Sequence, residues 1–203
     1  MKIKTIRRFE KNHKITKNTW MQIFESIRYT PSSFDLQPWH FFIIQKKKNK
    51  KKLKTCLIGN ETQLLTSSAM ILLCGNLCKK ENSAHIYQKK LFHNEITKEQ
   101  QKMILEQIYK TYDSLNPYKL KNEIFFECGL IAANFVLELQ KSDYNACFIG
   151  GCQFEKINSL FDIPPKYTPI ILIAVGKEDT NANLNMSKLP SFKLPPKNFI
   201  SFL

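Results

Sequence analysis

The 203-residue chain predicts an α+β fold with a central mixed sheet and extended termini. Three observations lead there. Two runs, Ala69–Cys74 (AMILLC) and Pro169–Val175 (PIILIAV), are apolar on both faces, as central strands covered on both sides must be. A long stretch of helical character separates them. The composition, 43% apolar and 12% aromatic, supplies a sizeable core at this length and excludes disorder as the dominant state. One domain spanning residues 1–203 is expected.

The elements follow in order. Thr16 is an N-cap candidate ahead of Trp20, Ile23, Phe24 and Ile27, whose spacing marks one buried helix face. Pro31 stops that helix, because the residue before a proline is pushed out of helical backbone geometry. After a polar turn, Pro38 introduces the strand-like run Trp39–Ile44. A lysine run leads into a short helix expected around Leu53–Ile58. Residues 97–112 place Met103, Ile104, Leu105 and Ile108 among charged positions, as in an amphipathic helix. Residues 122–141 are apolar almost all round, so a buried helix is expected there. Ala146–Ile149 is a short strand ending at Gly150-Gly151. From Glu178 the chain turns polar and proline-spotted (Pro190, Pro195, Pro196), as a tail lying over a surface would.

The net charge of +14 first suggests a nucleic-acid binder. Its distribution argues otherwise. Residues 1–18 and the run Lys46–Lys54 (KKKNKKKLK) together hold 13 of the 14 excess charges, and the remainder is almost neutral. The run lacks the interleaved aromatics that stack on bases, so it reads as a solvated strip. No apolar run is long enough to span a bilayer, and no apolar stretch follows the basic N-terminus as in a signal peptide. The six cysteines (Cys56, Cys74, Cys78, Cys128, Cys147, Cys152) form no Cys-x-x-Cys pair and have no histidine at zinc spacing, so no metal site is expected. Buried reduced thiols in the cytoplasm are the expectation.

Three segments carry candidate chemistry. Pro31-Ser32-Ser33-Phe34-Asp35-Leu36-Gln37-Pro38-Trp39-His40 reads either as a helix stop, turn and strand start with Trp39 in the core, or as a polar loop lining a planar heteroaromatic ligand. Gly150-Gly151 reads either as a tight turn needing positive φ or as bare backbone that a flat ring can approach. Lys4-Thr5-Ile6-Arg7-Arg8 offers cations and a hydroxyl to a phosphate, although such basic termini are more often solvated.

Together these pieces resemble the nitroreductase family of FMN-dependent oxidoreductases over nearly the whole chain. The family's opening Arg-x-Ser/Thr-x-Arg/Lys-x-Phe pattern is matched by Ile3-Lys4-Thr5-Ile6-Arg7-Arg8-Phe9 except at its first position. Its Pro-Ser-Ser-x-x-x-Gln-Pro-Trp loop is Pro31–Trp39. Its Gly-Asn-x-x-Gln stretch is Gly59-Asn60-Glu61-Thr62-Gln63, followed by Thr66-Ser67-Ser68-Ala69. A Pro-Ile-Gly-Gly-like element is Phe148-Ile149-Gly150-Gly151, and the closing Arg-Leu-Pro-like element is Lys193-Leu194-Pro195.

The resemblance implies a three-layer α+β fold, with a mixed, mainly antiparallel sheet flanked by helices. It also implies a homodimer whose two FMN sites lie at the interface, each built from both chains. On that basis Thr5 and Lys193, helped by Lys4, meet the FMN phosphate, and Arg7 lies near the pyrimidine edge of the ring. Asn60 and Gln63 read the ring's amide edge. Ile149, Gly150 and Gly151 face the ring, and Ser32, Ser33 and Asp35 reach it from the partner subunit. No side chain is implied as acid, base or nucleophile, because the flavin takes hydride from NAD(P)H and passes electrons to nitroaromatic, quinone-like or related acceptors in ping-pong alternation. Residues 79–122 are implied as a lid or insertion, and 179–203 as a tail over the partner. Ile3 stands where the family has arginine and Asp35 where asparagine is common, changes expected to weaken FMN binding. A different reading is a truncated, inactive member serving as a flavin-binding or dimeric interaction protein.

Overall fold

In the computed structural model, residues 3–183 and 192–203 are described. The centre of the expected tail, residues 184–191, lies outside them. Four strands, β1 (Trp39–Ile44), β2 (Ala69–Asn76), β3 (Asn145–Ile149) and β4 (Tyr167–Gly176), form one sheet in the order β1-β2-β4-β3. Every pairing in it is antiparallel. Among the described residues, the parallel component of the expected mixed sheet is a single bridge, from Thr5 to Ala146 on the outer edge of β3. β2 is buried along its whole length, as its two-sided apolar run requires. β4 slips register opposite Leu73/Cys74, where Pro169 has no N–H to offer the ladder.

Side-chain alternation sorts the core into two layers. On one face Ala69, Ile71, Leu73, Ile173, Val175 and Ala146 pack against helices α1 (Lys17–Ile27) and α6 (Pro117–Lys141). On the other face Met70, Leu72, Cys74, Leu172, Cys147 and Ile149 pack against helices α2 (Lys47–Lys54), α3 (Glu61–Thr66) and α7 (Ile157–Phe161). Thr16 caps α1 through the Thr19 amide, and Trp20, Ile23 and Ile27 are its buried stripe. α6 begins earlier than residue 122, because Asn116 caps it and Pro117 fits its first turn.

Two further expectations change. The helix near Leu53–Ile58 instead starts inside the lysine run, at Lys47, and ends at Lys54. Lysine is a good helix former, and Leu53 buries the inner face. Residues 79–122 fold as α4 (Ser83–Phe92), α5 (Lys98–Ser114) and the start of α6. α5 opens on a capping box between Thr97 and Gln100. α4 and α5 form a third cluster, in which Tyr87, Ile108 and Tyr112 bury Leu36 of the 31–38 loop.

Candidate functional site

The sequence-derived site residues fall into two groups within one chain. The first gathers at the β3 edge, on the α2/α3 face. Asn60 precedes α3 with left-handed backbone (φ 60), a conformation asparagine tolerates. Its Nδ2 donates to Ile58 O at 3.3 Å, and Gln63 Nε2 donates to Asn60 Oδ1 at 3.0 Å. Gln63 is buried and also lies within hydrogen-bonding reach of the Cys147 thiol. Burial pushes that thiol up, while Gln63 and the charge of exposed Arg7 pull it back. Thr5 is tied in by its bridge to Ala146, and the Ile6 amide donates to Ala146 O at 3.3 Å. Lys4 reaches Glu178 at 2.6 Å, so a phosphate would have to compete with that pair.

Gly150 and Gly151 end β3 beside this cluster, and neither has positive φ, contrary to the tight-turn expectation. Gly151 is required by a close approach: a Cβ there would sit 2.6 Å from Ile58 O and 3.2 Å from Asn60 Nδ2. A Cβ on Gly150 would meet nothing within 4 Å, so this exposed position offers bare backbone to open space. Such a cradle fits a planar ring with an O=C–N–H edge. The bare backbone of Gly150, the amides of Asn60 and Gln63, and the Arg7 cation, whose charge is felt at Cys147, are the groups that could hold it.

The second group is far away. The 31–38 loop enters β1 at the opposite edge of the sheet, and the Asn76 amide bonds Pro38 O at 2.6 Å. Three strand spacings, roughly 14 Å, separate that edge from β3. The loop is also held from the α6 face, whereas Asn60 and Gln63 lie on the other. Ser32 Oγ accepts from the Gln37 amide at 3.0 Å, and Asp35 pairs with Lys90 at 2.7 Å. Phe34, Asp35 and Gln37 all have positive φ (50, 54 and 49), which is strained for such residues and needs outside support. Lys193 lies in the exposed C-terminal segment.

That support comes from residues the sequence reading missed. The Ser33 amide donates to Glu127 Oε1 at 2.6 Å, and Glu127 Oε2 pairs with Lys79 at 2.8 Å. Lys79 also bonds Glu123, to which Tyr112 donates its hydroxyl at 2.6 Å. Lys79 and Glu127 are 1% and 2% exposed, so removing Lys79 leaves Glu127 as an uncompensated buried charge, costing about 3–5 kcal/mol. Burial raises the Glu123 carboxyl, but the bonds from Lys79 and Tyr112 outweigh it and hold the group below its ordinary value. Burial first, and Glu123 second, keep the Tyr112 phenol well above its own. A signal existed: Glu123 and Glu127 lie one helical turn apart in an otherwise apolar segment, a like-charge pair that calls for a cation.

Lys50 was missed too. Instead of facing solvent with its run, it turns inward and donates to Leu64 O at 3.1 Å and to Ser67 O and Oγ. It thereby caps the C-terminal end of α3, the helix that carries Gln63. The other candidates are structural. His40 packs against the rings of Phe42 and Tyr167, and His13 is half-buried against Ser68 and Tyr144. Cys147 and Cys152 are buried free thiols. Among the described residues no His, Cys, Asp and Glu group could hold a metal ion, and no helix is long and apolar enough to cross a membrane.

The chain is 27% identical over 190 residues to YodC of Bacillus subtilis (strain 168), which carries a provisional NAD(P)H nitroreductase name, covering 94% of this chain and 92% of that one. It is 27% identical over 175 residues to the CLA biosynthesis enone reductase of Lactiplantibacillus plantarum, covering 85% and 81%. A provisionally named nitroreductase of Exiguobacterium sibiricum, crystallised in complex with FMN, superposes with a TM-score of 0.92 at 26% identity, covering 99% of this chain and 93% of that one. The model of the Nitroreductase family matches residues 2–177, nearly the whole of the arrangement just described, and the chain belongs to that family.

Proposed function

We propose that this protein is an FMN-dependent oxidoreductase that draws hydride from NAD(P)H and reduces nitroaromatic, quinone-like or related acceptors by ping-pong alternation. The observation that carries the reading is the division of the site. Arg7, Asn60, Gln63, Gly150 and Gly151 make half of a flavin cradle, and the loop bearing Ser32, Ser33 and Asp35 sits at the opposite sheet edge. One chain cannot close such a site, whereas a symmetric dimer closes two.

The surface has an apolar face suited to the second copy. Phe125 and Phe126 on α6 and Phe148 on β3 are 40%, 67% and 47% exposed, and a groove between Phe125 and Phe148 is floored by Gly129, Ala132 and Ala133. Small residues there let a second helix approach closely. The C-terminal segment, with Phe192 and Phe202 exposed, is assigned to lie over the partner and bring Lys193 to the phosphate. Residues 79–122 form the lid of this assembly. The buried free thiols accord with a cytoplasmic setting.

Bound FMN would supply hydride acceptance and release. The protein's own residues orient it and tune it. Thr5 and Lys193 hold the phosphate, Arg7 stabilises negative charge at the pyrimidine edge, and the amides of Asn60 and Gln63 fix the ring's register. The bare backbone at Gly150 leaves the ring face open to each substrate in turn.

The test is an absorption spectrum of the purified protein, before and after NAD(P)H under anaerobic conditions. A yellow protein whose flavin bands bleach supports the proposal, and parallel initial-rate plots support alternation. A protein that stays colourless after incubation with FMN refutes it, and would instead support a non-catalytic dimeric role.

A further inference from the structure

The 32–37 loop is held in a costly conformation by contacts that come from one side. The Ser33 amide bonds Glu127, whose other oxygen is fixed by Lys79, itself shared with Glu123. Tyr87 donates its hydroxyl to Phe34 O at 2.9 Å, and Asn82 donates to Leu36 O at 3.3 Å. None of these groups lies at the β3 edge where Gly150 and Asn60 sit. Ions buried this deeply are costly to desolvate, and a packed apolar cluster would brace an ordinary turn as well. What the ionic arrangement adds is direction, because a carboxylate fixed by a lysine holds one amide at one place.

We propose that Glu127, oriented by Lys79, is a positioning residue acting in trans: it sets the Ser32–Asp35 loop that each subunit donates to the flavin site of its partner. This rests on the two-chain site proposed above. Glu127 touches neither ring nor substrate. Removing its charge-assisted bond to Ser33 frees the loop to leave its strained conformation, so both sites of a mutant dimer should bind FMN roughly ten- to a hundred-fold more weakly.

The test is complementation between Glu127→Ala, which damages the donated loop, and Gly150→Leu, which blocks the cradle where space is open. FMN affinity and stoichiometry are read by quenching of flavin fluorescence in wild type, in both mutant homodimers, and in a heterodimer isolated through two different tags. Wild type should bind two FMN per dimer and both mutant homodimers should bind weakly. The heterodimer should regain one tight site, formed by the intact cradle of the Glu127→Ala subunit and the intact loop of the Gly150→Leu subunit. A Glu127→Ala homodimer with wild-type affinity overturns the proposal, as does a heterodimer with no tight site. Wild type that takes up no FMN, or a Gly150→Leu dimer that still binds it tightly, refutes the underlying site instead and removes this proposal's basis. If Glu127→Ala gives no folded dimer, Glu127→Gln replaces it in the same design. Its uncharged carbonyl should lower affinity several-fold, and unchanged affinity overturns the proposal.

Discussion

Replacing Gly151 with alanine puts a methyl carbon 2.6 Å from the carbonyl oxygen of Ile58. That oxygen is backbone, so no rotamer change relieves the contact. The Ile58 amide is also bonded to Gly151 O at 2.9 Å, and Leu57 bridges Cys152. The two segments must therefore move apart together. Overpacking of this kind costs about 1–3 kcal/mol, which for a chain this size lowers the melting temperature by roughly 2–12 °C. Gly150→Ala supplies the control. Its Cβ meets nothing within 4 Å and its φ is not positive, so the apoprotein should melt within about 1 °C of wild type. The same methyl would project into the space assigned to the ring, so FMN binding should weaken. The pair thus separates stability from binding: apoprotein stability falls for Gly151→Ala alone, whereas Gly150→Ala loses FMN affinity without losing stability. Thermal melts of apoprotein and fluorescence titration with FMN check both. An unshifted melt for Gly151→Ala refutes the close-approach argument, and unchanged FMN affinity for Gly150→Ala refutes its place beneath the ring.

Other consequences are as direct. Burial pushes the Cys74 and Cys128 thiols up to about 12 and Cys152 to about 11, so none is a thiolate at neutral pH; a disulfide-exchange reagent should label them only as denaturant unfolds the chain. Burial lowers Lys50 from 10.5 to about 8, so between those values the unfolded chain binds more protons than the folded one; this group's contribution to stability should rise with pH across that window, and Lys50→Met should abolish the rise in urea midpoints. Neutralising exposed Lys47, Lys48 and Lys51 together to glutamine should change stability by less than about 0.5 kcal/mol in denaturant titrations and leave FMN affinity intact, whereas Lys50→Met should weaken it by loosening α3.

What was legible in the sequence was what local chemistry decides. Ala69–Cys74 announces a strand covered on both faces, and Thr16 with its apolar stripe announces α1. The Asn60, Gln63, Gly150 and Gly151 positions could be read from motif order, and the structure brings them together. What was not legible depends on pairing at a distance. Lys79 and Glu127 are 48 residues apart, and although the Glu123/Glu127 pair calls for a cation, nothing in the sequence singles out Lys79 to supply it. Lys50 looks like its neighbours in the run until helical periodicity turns it, with Leu53, toward the protein. The sheet order β1-β2-β4-β3 likewise follows from long-range packing, and it alone places the 31–38 loop and the Gly150-Gly151 turn on different edges.

That placement changes the meaning of the helices between β2 and β3. A lid is expected to cover the pocket of its own chain. Here α4 and α5 pack on the 31–38 loop through Tyr87, Ile108 and Tyr112 around Leu36, at the β1 edge and away from the β3 cradle. If the loop completes the partner's site, the lid belongs to the partner's pocket as well, and loop and lid travel as one unit. Substitutions in α5 that disturb its packing, such as Ile108→Ala, should then alter acceptor preference at the site whose cradle the other subunit provides. A Gly150→Leu subunit carrying an unaltered α5 would still confer wild-type preference on its partner, and loss of that preference would show the lid to act in its own chain.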